Sequence, residues 1–140
     1  MIKKPDKSIE HKAINVSSVY RSINEIEELE KELKVKVNAN EENPTYEGYH
    51  SIIRVHDKLG KKYFNRYDYK KAVTHYKKVL DYKDKASHYT TDQLGVQLGI
   101  ADTYEKLSEV YRNSLDFDMA EEYKERAKDI RKKAINALIE

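Results

Sequence analysis

Apolar residues return every three or four positions along most of this chain, the spacing that lines up one face of an α-helix. Val19, Tyr20, Ile23, Ile26, Leu29 and Leu33 form such a line, while Glu25, Glu27, Glu28, Glu30 and Glu32 lie mostly off it. A helix near 18–37 is predicted, with Ser18 as its N-cap. The Asn- and Glu-rich run 38–44 reads as a linker closed by Pro44, which disfavours helix. Ile52, Val55, Leu59 and Tyr63 predict a second helix over 45–65. After a break at Arg66-Tyr67-Asp68, Asp68 is the expected N-cap of a third over 69–83, carrying Ala72, Val73, Tyr76, Val79 and Leu80. Residues 84–89 read as a loop. Leu94, Leu98, Ala101, Tyr104, Leu107, Val110 and Tyr111 predict a fourth helix over 91–113, capped by Thr90 or Thr91. Ala120, Tyr123, Ala127, Ile130, Ala134 and Leu138 predict a fifth over 117–138, capped by Asp116 or Asp118. No stretch reads as a strand. Residues 1–16 lack a clean period, are rich in Lys and read as a flexible arm, leaving 17–140 as one helical domain. Short breaks between long amphipathic helices make antiparallel hairpins, so the expected class is all-α. Gly95 and Gly99 sit inside the fourth helix at about 1 kcal/mol each against Ala, which points to close packing there.

Two stretches of this pattern resemble each other. His56, Leu59, Gly60, Tyr63, Ala72 and Tyr76 are followed 48 residues later by Tyr104, Leu107, Ser108, Tyr111 and Ala120, with Tyr123 one place before the counterpart of Tyr76. In each, a ring precedes Leu by three, a small residue follows Leu, Tyr comes four after Leu, and Ala comes nine after that Tyr. Small residues let two helices approach and the rings fill the space beside the contact. This resembles the tetratricopeptide signature W-x-x-L-G-x-x-Y…A-x-x-x-F…P. The match covers about residues 50–130. His56 stands in place of Trp, Asp84 in place of the last Pro, and Ser108 in place of the second Gly. The spacing is 48 instead of about 34 residues, so the extra length is expected in the third and fourth helices or between them.

The resemblance implies a TPR-like superhelix of paired helices, with the first helix of each pair lining a groove that grips a peptide or helix of a partner protein. Carried onto this chain, the groove-facing candidates are Arg54, Asp57, Lys61, Phe64 and Asn65, then Asp102, Glu105, Glu109, Arg112 and Asn113. Chaperone-binding members of the family clamp a terminal carboxylate with Lys, Asn and Arg. Here Asp57, Glu105 and Glu109 stand instead, so no carboxylate clamp is expected. The implied role is a non-catalytic adaptor, scaffold or chaperone. With few repeats, the helix near 18–37 is expected to cap the first pair, and an exposed end suits pairing with a second copy.

Composition fits this picture. Four Gly and two Pro mark few turns, and twelve Tyr with two Phe and no Trp suit half-exposed helix seams. The absence of Cys excludes disulfides, Cys-based zinc sites and Cys nucleophiles. No apolar run approaches the roughly 20 residues that span a bilayer, and the first residues lack the apolar stretch of a secretory signal. A soluble, cytoplasmic protein is the expectation, with no cofactor.

Net charge is only +2, yet residues 50–85 hold eleven Lys/Arg against four Asp, and residues 86–129 hold five against ten Asp/Glu. That division either steers a charged partner or places opposite charges on neighbouring helices. Lys58, Lys61, Lys62, Lys70, Lys71, Lys77 and Lys78 raise nucleic-acid binding through the basic 54–85 region as an alternative. They spread around two helices, which argues against it. The best catalytic candidate is His56-Asp57, by resemblance to all-α HD metal phosphohydrolases, with His50 and Asp102 as further ligands. His50 and His56 are six apart and so fall on different helix faces, and His56 sits at the ring position of the repeat. His75 and His88 read as isolated surface or loop residues.

Overall fold

A computed structural model gives the backbone from Lys7 to Glu140 and the side chains from Val16 onward. Five helices follow in order: α1 (Lys7–Glu42), α2 (Tyr46–Asn65), α3 (Tyr69–Ser87), α4 (Gln93–Asn113) and α5 (Phe117–Ile139), with no strand among the described residues. Short polar side chains start four of them. Thr45, Asp68, Asp92 and Asp116 each accept from the backbone N–H three residues on, satisfying a donor that has no partner inside the helix. The cap of α4 is therefore Asp92; Thr90 Oγ1 accepts from the Asp92 N–H one step earlier.

α1 is longer than its apolar spacing predicts. It takes in residues 7–17, most of the stretch expected as a flexible arm, while residues 1–6 lie outside the described residues. At its other end it continues to Glu42 through the expected linker. Asn40 explains this: its side chain turns inward, 7% exposed, and Oδ1 accepts from the Thr45 N–H at 3.1 Å. Gly48 lies directly beneath, where a Cβ would overlap that oxygen. An Asn that favours turns in isolation thus closes a helix–helix corner. α3 likewise runs on to Ser87, through most of the expected loop.

Consecutive helices pack as antiparallel neighbours. Along α2 and α3, Tyr49 meets Tyr89 just past the end of α3, His56 meets Tyr82, Tyr63 meets His75 and Phe64 meets Tyr69, so numbers rise on one side as they fall on the other. α4 and α5 repeat this, and α1 lies antiparallel on α2, with Asn40 beside Gly48 at one end and Glu25 beside Lys62 at the other. Since Glu25 already faces Lys62 near the end of α2, about the first dozen residues of α1 project past that end, roughly 18 Å at 1.5 Å per residue. One core runs from Ile26 on α1 through Val55, Leu59, Tyr63, Ala72 and Tyr76 to Leu107, Val110 and Tyr123. Leu59 and Leu107 have no exposed surface; burying each contributes about 1.5–3 kcal/mol.

The two hairpins superimpose in number at a constant step of 48. Tyr63 stacks on His75 at 5.4 Å, and Tyr111 stacks on Tyr123 at 5.6 Å. The tilted pair His56–His75 at 5.2 Å is answered by Tyr104–Tyr123 at 5.6 Å. Ala72 and Ala120 are both buried. Tyr67 and Leu115, at the same place in the two turns, share a left-handed backbone with φ of 63° and 68°. The counterpart of Tyr123 is therefore His75, not Tyr76, and the one-residue offset seen in the sequence vanishes. Tyr76 instead covers Gly60, where a Cβ would lie 2.8 Å from the ring. In the second hairpin an exposed Lys124 stands at that place, and Ser108 fits there, its Oγ donating to the Ala120 carbonyl at 2.6 Å.

Candidate functional site: the groove between the two hairpins

α2 and α4 are the first helices of the two hairpins; α3 packs against both, and the Asp57–Lys106 ion pair links them directly. Between them runs a groove of about 490 Å³. Its floor is Tyr76, Val110 and Phe64, and its rims carry Asp57, Lys58, Lys61 and Asn65 from α2 and Lys106 and Glu109 from α4. Tyr76 reaches the floor from α3 because Gly60 leaves room for its ring. Burial, with Asp57 and Glu109 adding, pushes the Tyr76 hydroxyl up to about 12, so it stays a neutral donor at physiological pH.

Charges on the rims are partly spoken for. Lys106 Nζ lies 3.1 Å from Asp57 Oδ1 and 5.8 Å from the centre of the Tyr76 ring, bridging the hairpins over the floor. Lys58, Lys61 and Glu109 make no ion pair among the described residues, so two free cations and one free carboxylate face the groove. The acidic second hairpin does not neutralise the basic first one. Asp57–Lys106 is a cross-hairpin ion pair, and it puts an acid on the basic hairpin and a base on the acidic one.

Five of the ten candidates meet at this groove: Asp57, Lys61, Phe64, Asn65 and Glu109. The other five do not line it. Arg54 is exposed one turn away. Asp102 and Glu105 are drawn to α5, where both bind the Arg131 guanidinium; its Nη2 lies 2.7 Å from Asp102. The hydrogen bond from Arg131 holds the Glu105 carboxyl below its ordinary range. Arg112 and Asn113 face solvent at the end of α4, where Asn113 Nδ2 donates to the Glu109 carbonyl at 2.8 Å. Sequence reasoning omitted Lys58, Tyr76, Lys106 and Val110. Tyr76 is on the second helix of its pair and enters the groove only through the gap above Gly60. Lys106 follows Glu105 by one residue, which is what turns it toward Asp57.

The proposed metal ligands are each engaged elsewhere. Asp57 faces Lys106, Asp102 faces Arg131, and His50 stacks on Tyr46 at 5.8 Å. His56 Nδ1 points at His75 Nδ1 across 3.0 Å, so one ring donates N–H and the other accepts. Among the described residues no three His, Asp or Glu side chains come together as a metal site. His75 is thus no isolated surface residue. It and the buried His56 form an imidazole pair inside the first hairpin, beside Tyr82 and Tyr63. Burial first, then His75 and Lys78, holds the His56 imidazole down to about 4. Burial also lowers His75, with Glu30 opposing and Lys71 adding.

A smaller cavity of about 250 Å³ lies where α2, α3 and α4 meet. Lys83 crosses it to donate to the Gly99 carbonyl and to Thr103 Oγ1, each at 2.7 Å, and burial lowers its ammonium. Close packing does not account for Gly99. A Cβ there would meet only the end of the Lys83 side chain, at an ordinary 3.5 Å. The lysines of the 54–85 region divide among separate surfaces. Lys58 and Lys61 face the groove, whereas Lys71 sits over the Tyr63 ring beside α1. No described helix is long and apolar enough to cross a membrane. Protein-family models, curated proteins and solved structures give no match to this chain.

Proposed function

We propose that this chain is a non-catalytic interaction module whose α2/α4 groove holds a peptide or helix of a partner protein. The observation that carries this reading is the groove itself. Its floor is apolar, with Tyr76 and Val110 almost wholly buried and Phe64 half-buried, and unpaired charge of both signs, Lys58 and Lys61 against Glu109, stands on opposite rims. An apolar floor supplies binding energy and the rim charges supply register and partner choice. The fitting partner carries an apolar anchor with an acidic residue toward Lys61 and a basic one toward Glu109. The tetratricopeptide resemblance of residues 50–130 supports the same reading, since that family grips partners with the equivalent helices. An adaptor or assembly chaperone is the corresponding role.

The test is affinity capture with the intact chain and with a Lys61→Glu/Glu109→Lys double variant, followed by a direct binding measurement on the captured protein. A loss of at least tenfold in the variant is expected. A captured partner that binds both proteins equally would remove the groove from the account.

A further inference from the structure

The tips of the two hairpins carry an unusual feature. Tyr67 and Leu115 hold a left-handed backbone, and their side chains are 79% and 73% exposed. For a residue with a Cβ this conformation costs about 1–2 kcal/mol, and glycine adopts it freely. Neither side chain gains burial in return. What each position supplies is therefore the large apolar side chain itself, displayed at the tip.

At Tyr67 that side chain borders a cleft of about 660 Å³, formed where α1 overruns the end of α2. Val19 and Tyr67 are its apolar members. Its polar members are donor-rich: Arg21 and Arg66, with Ser18, Ser22 and Asn65. Glu25 is the carboxylate on its wall, and Lys62 already neutralises it. Arg21 and Arg66 make no ion pair among the described residues. Two uncommitted guanidinium groups beside a displayed tyrosine and a valine are complementary to carboxylates flanking an apolar residue.

We propose that this cleft is a second docking site, which adjoins the α2/α4 groove at Asn65 and shares none of its charged residues, and that its occupant is an acidic peptide segment with one aromatic or aliphatic anchor. The anchor lies between Val19 and Tyr67, and the flanking carboxylates take the forks of Arg21 and Arg66. A protein acid is favoured over a nucleic acid. A phosphate backbone needs a continuous track of cations, whereas here Glu25 stands on the cleft wall and the α3-capping Asp68 shares the neighbouring hollow with Arg66.

The experiment is selection of random twelve-residue displayed peptides on the whole chain. Fluorescence anisotropy of the enriched peptides at physiological salt follows, with a poly-uridine oligonucleotide as a parallel probe. Enriched peptides are expected to carry Asp or Glu around a single apolar anchor. They are expected to weaken at least tenfold with Arg21→Glu/Arg66→Glu and to bind unchanged to Lys61→Glu/Glu109→Lys. Because that groove variant leaves the cleft intact, failure of one site is read apart from failure of the other. Tyr67→Gly is expected to weaken the peptides severalfold while the protein melts no lower. No enrichment, enrichment without acidic residues, indifference to the arginine reversal, or tighter binding of the oligonucleotide each overturns the proposal.

Discussion

Acid is expected to weaken this protein through its imidazole pair, and the size of the effect follows from the geometry. His56 and His75 share one proton across 3.0 Å, and a second proton would set two donors face to face in a buried site. Asp57 on α2 and Glu30 on α1 favour a charged pair; Lys78 and Lys71 on α3 oppose it, and burial outweighs both. The folded His56 value of about 4 lies below the ordinary 6.5, so the unfolded chain binds the proton more readily. The stabilisation is then complete above pH 6.5 and is lost as pH falls toward 4. The whole window is worth about 3 kcal/mol at 1.36 kcal/mol per unit, and the part between pH 7 and pH 5 about 2 kcal/mol. For a chain of this size that is a fall of roughly 5–8 °C in Tm. The control comes from the second hairpin, which has Tyr104 and Tyr123 where the first has His56 and His75. Thermal melts followed by circular dichroism at pH 7 and pH 5, on the wild type and on His56→Tyr/His75→Tyr, measure the difference. The double variant should lose most of the pH dependence whatever its absolute Tm. A wild type indifferent to pH across this window, or a variant as acid-sensitive as the wild type, would refute the reasoning.

The glycines of the two hairpins should respond to Ala in opposite directions in urea unfolding. Gly60→Ala pushes a methyl into the buried Tyr76 ring and is expected to cost about 1–2 kcal/mol net, overpacking offset by helix propensity. Gly99→Ala meets only open space and the flexible end of Lys83, and should stabilise by about 1 kcal/mol. Tyr67→Gly and Leu115→Gly each relieve the left-handed backbone but loosen the unfolded chain, so each should raise unfolding free energy by about 0.5–1 kcal/mol in the same assay.

Helix positions were legible in the sequence wherever burial is one-sided. Leu59, Tyr63, Leu107 and Val110 repeat at helical spacing because one face of α2 and of α4 meets the core. The caps Asp68 and Asp116 were legible because a carboxylate satisfies the first N–H groups wherever it stands. What escaped are features decided by a partner far away in sequence. Asn40 looks like a linker residue until Thr45 and Gly48 close on it. Residues 7–17 carry too little apolar periodicity to announce a helix. Two of the candidates, Asp102 and Glu105, lie off the groove because which way a charged side chain leans is set by its counter-ion. Arg131, 26 residues beyond Glu105, took both Asp102 and Glu105 away from α4's groove face. His75 looked isolated because His56 is 19 residues away, and only the turn at Tyr67 brings them together.

The antiparallel packing of each helix on its immediate successor also bears on how the chain comes to be folded. Most of the contacts lie within one hairpin, so little loop entropy is lost before they form, and rapid folding is the physical consequence. Either hairpin can serve as a nucleus, with the other condensing on it as in a one-dimensional zipper. The halves differ, however, in what they keep inside. One holds a pair of imidazoles and the other a pair of phenols, so mild acid is expected to loosen the α1–α3 end before α4 and α5.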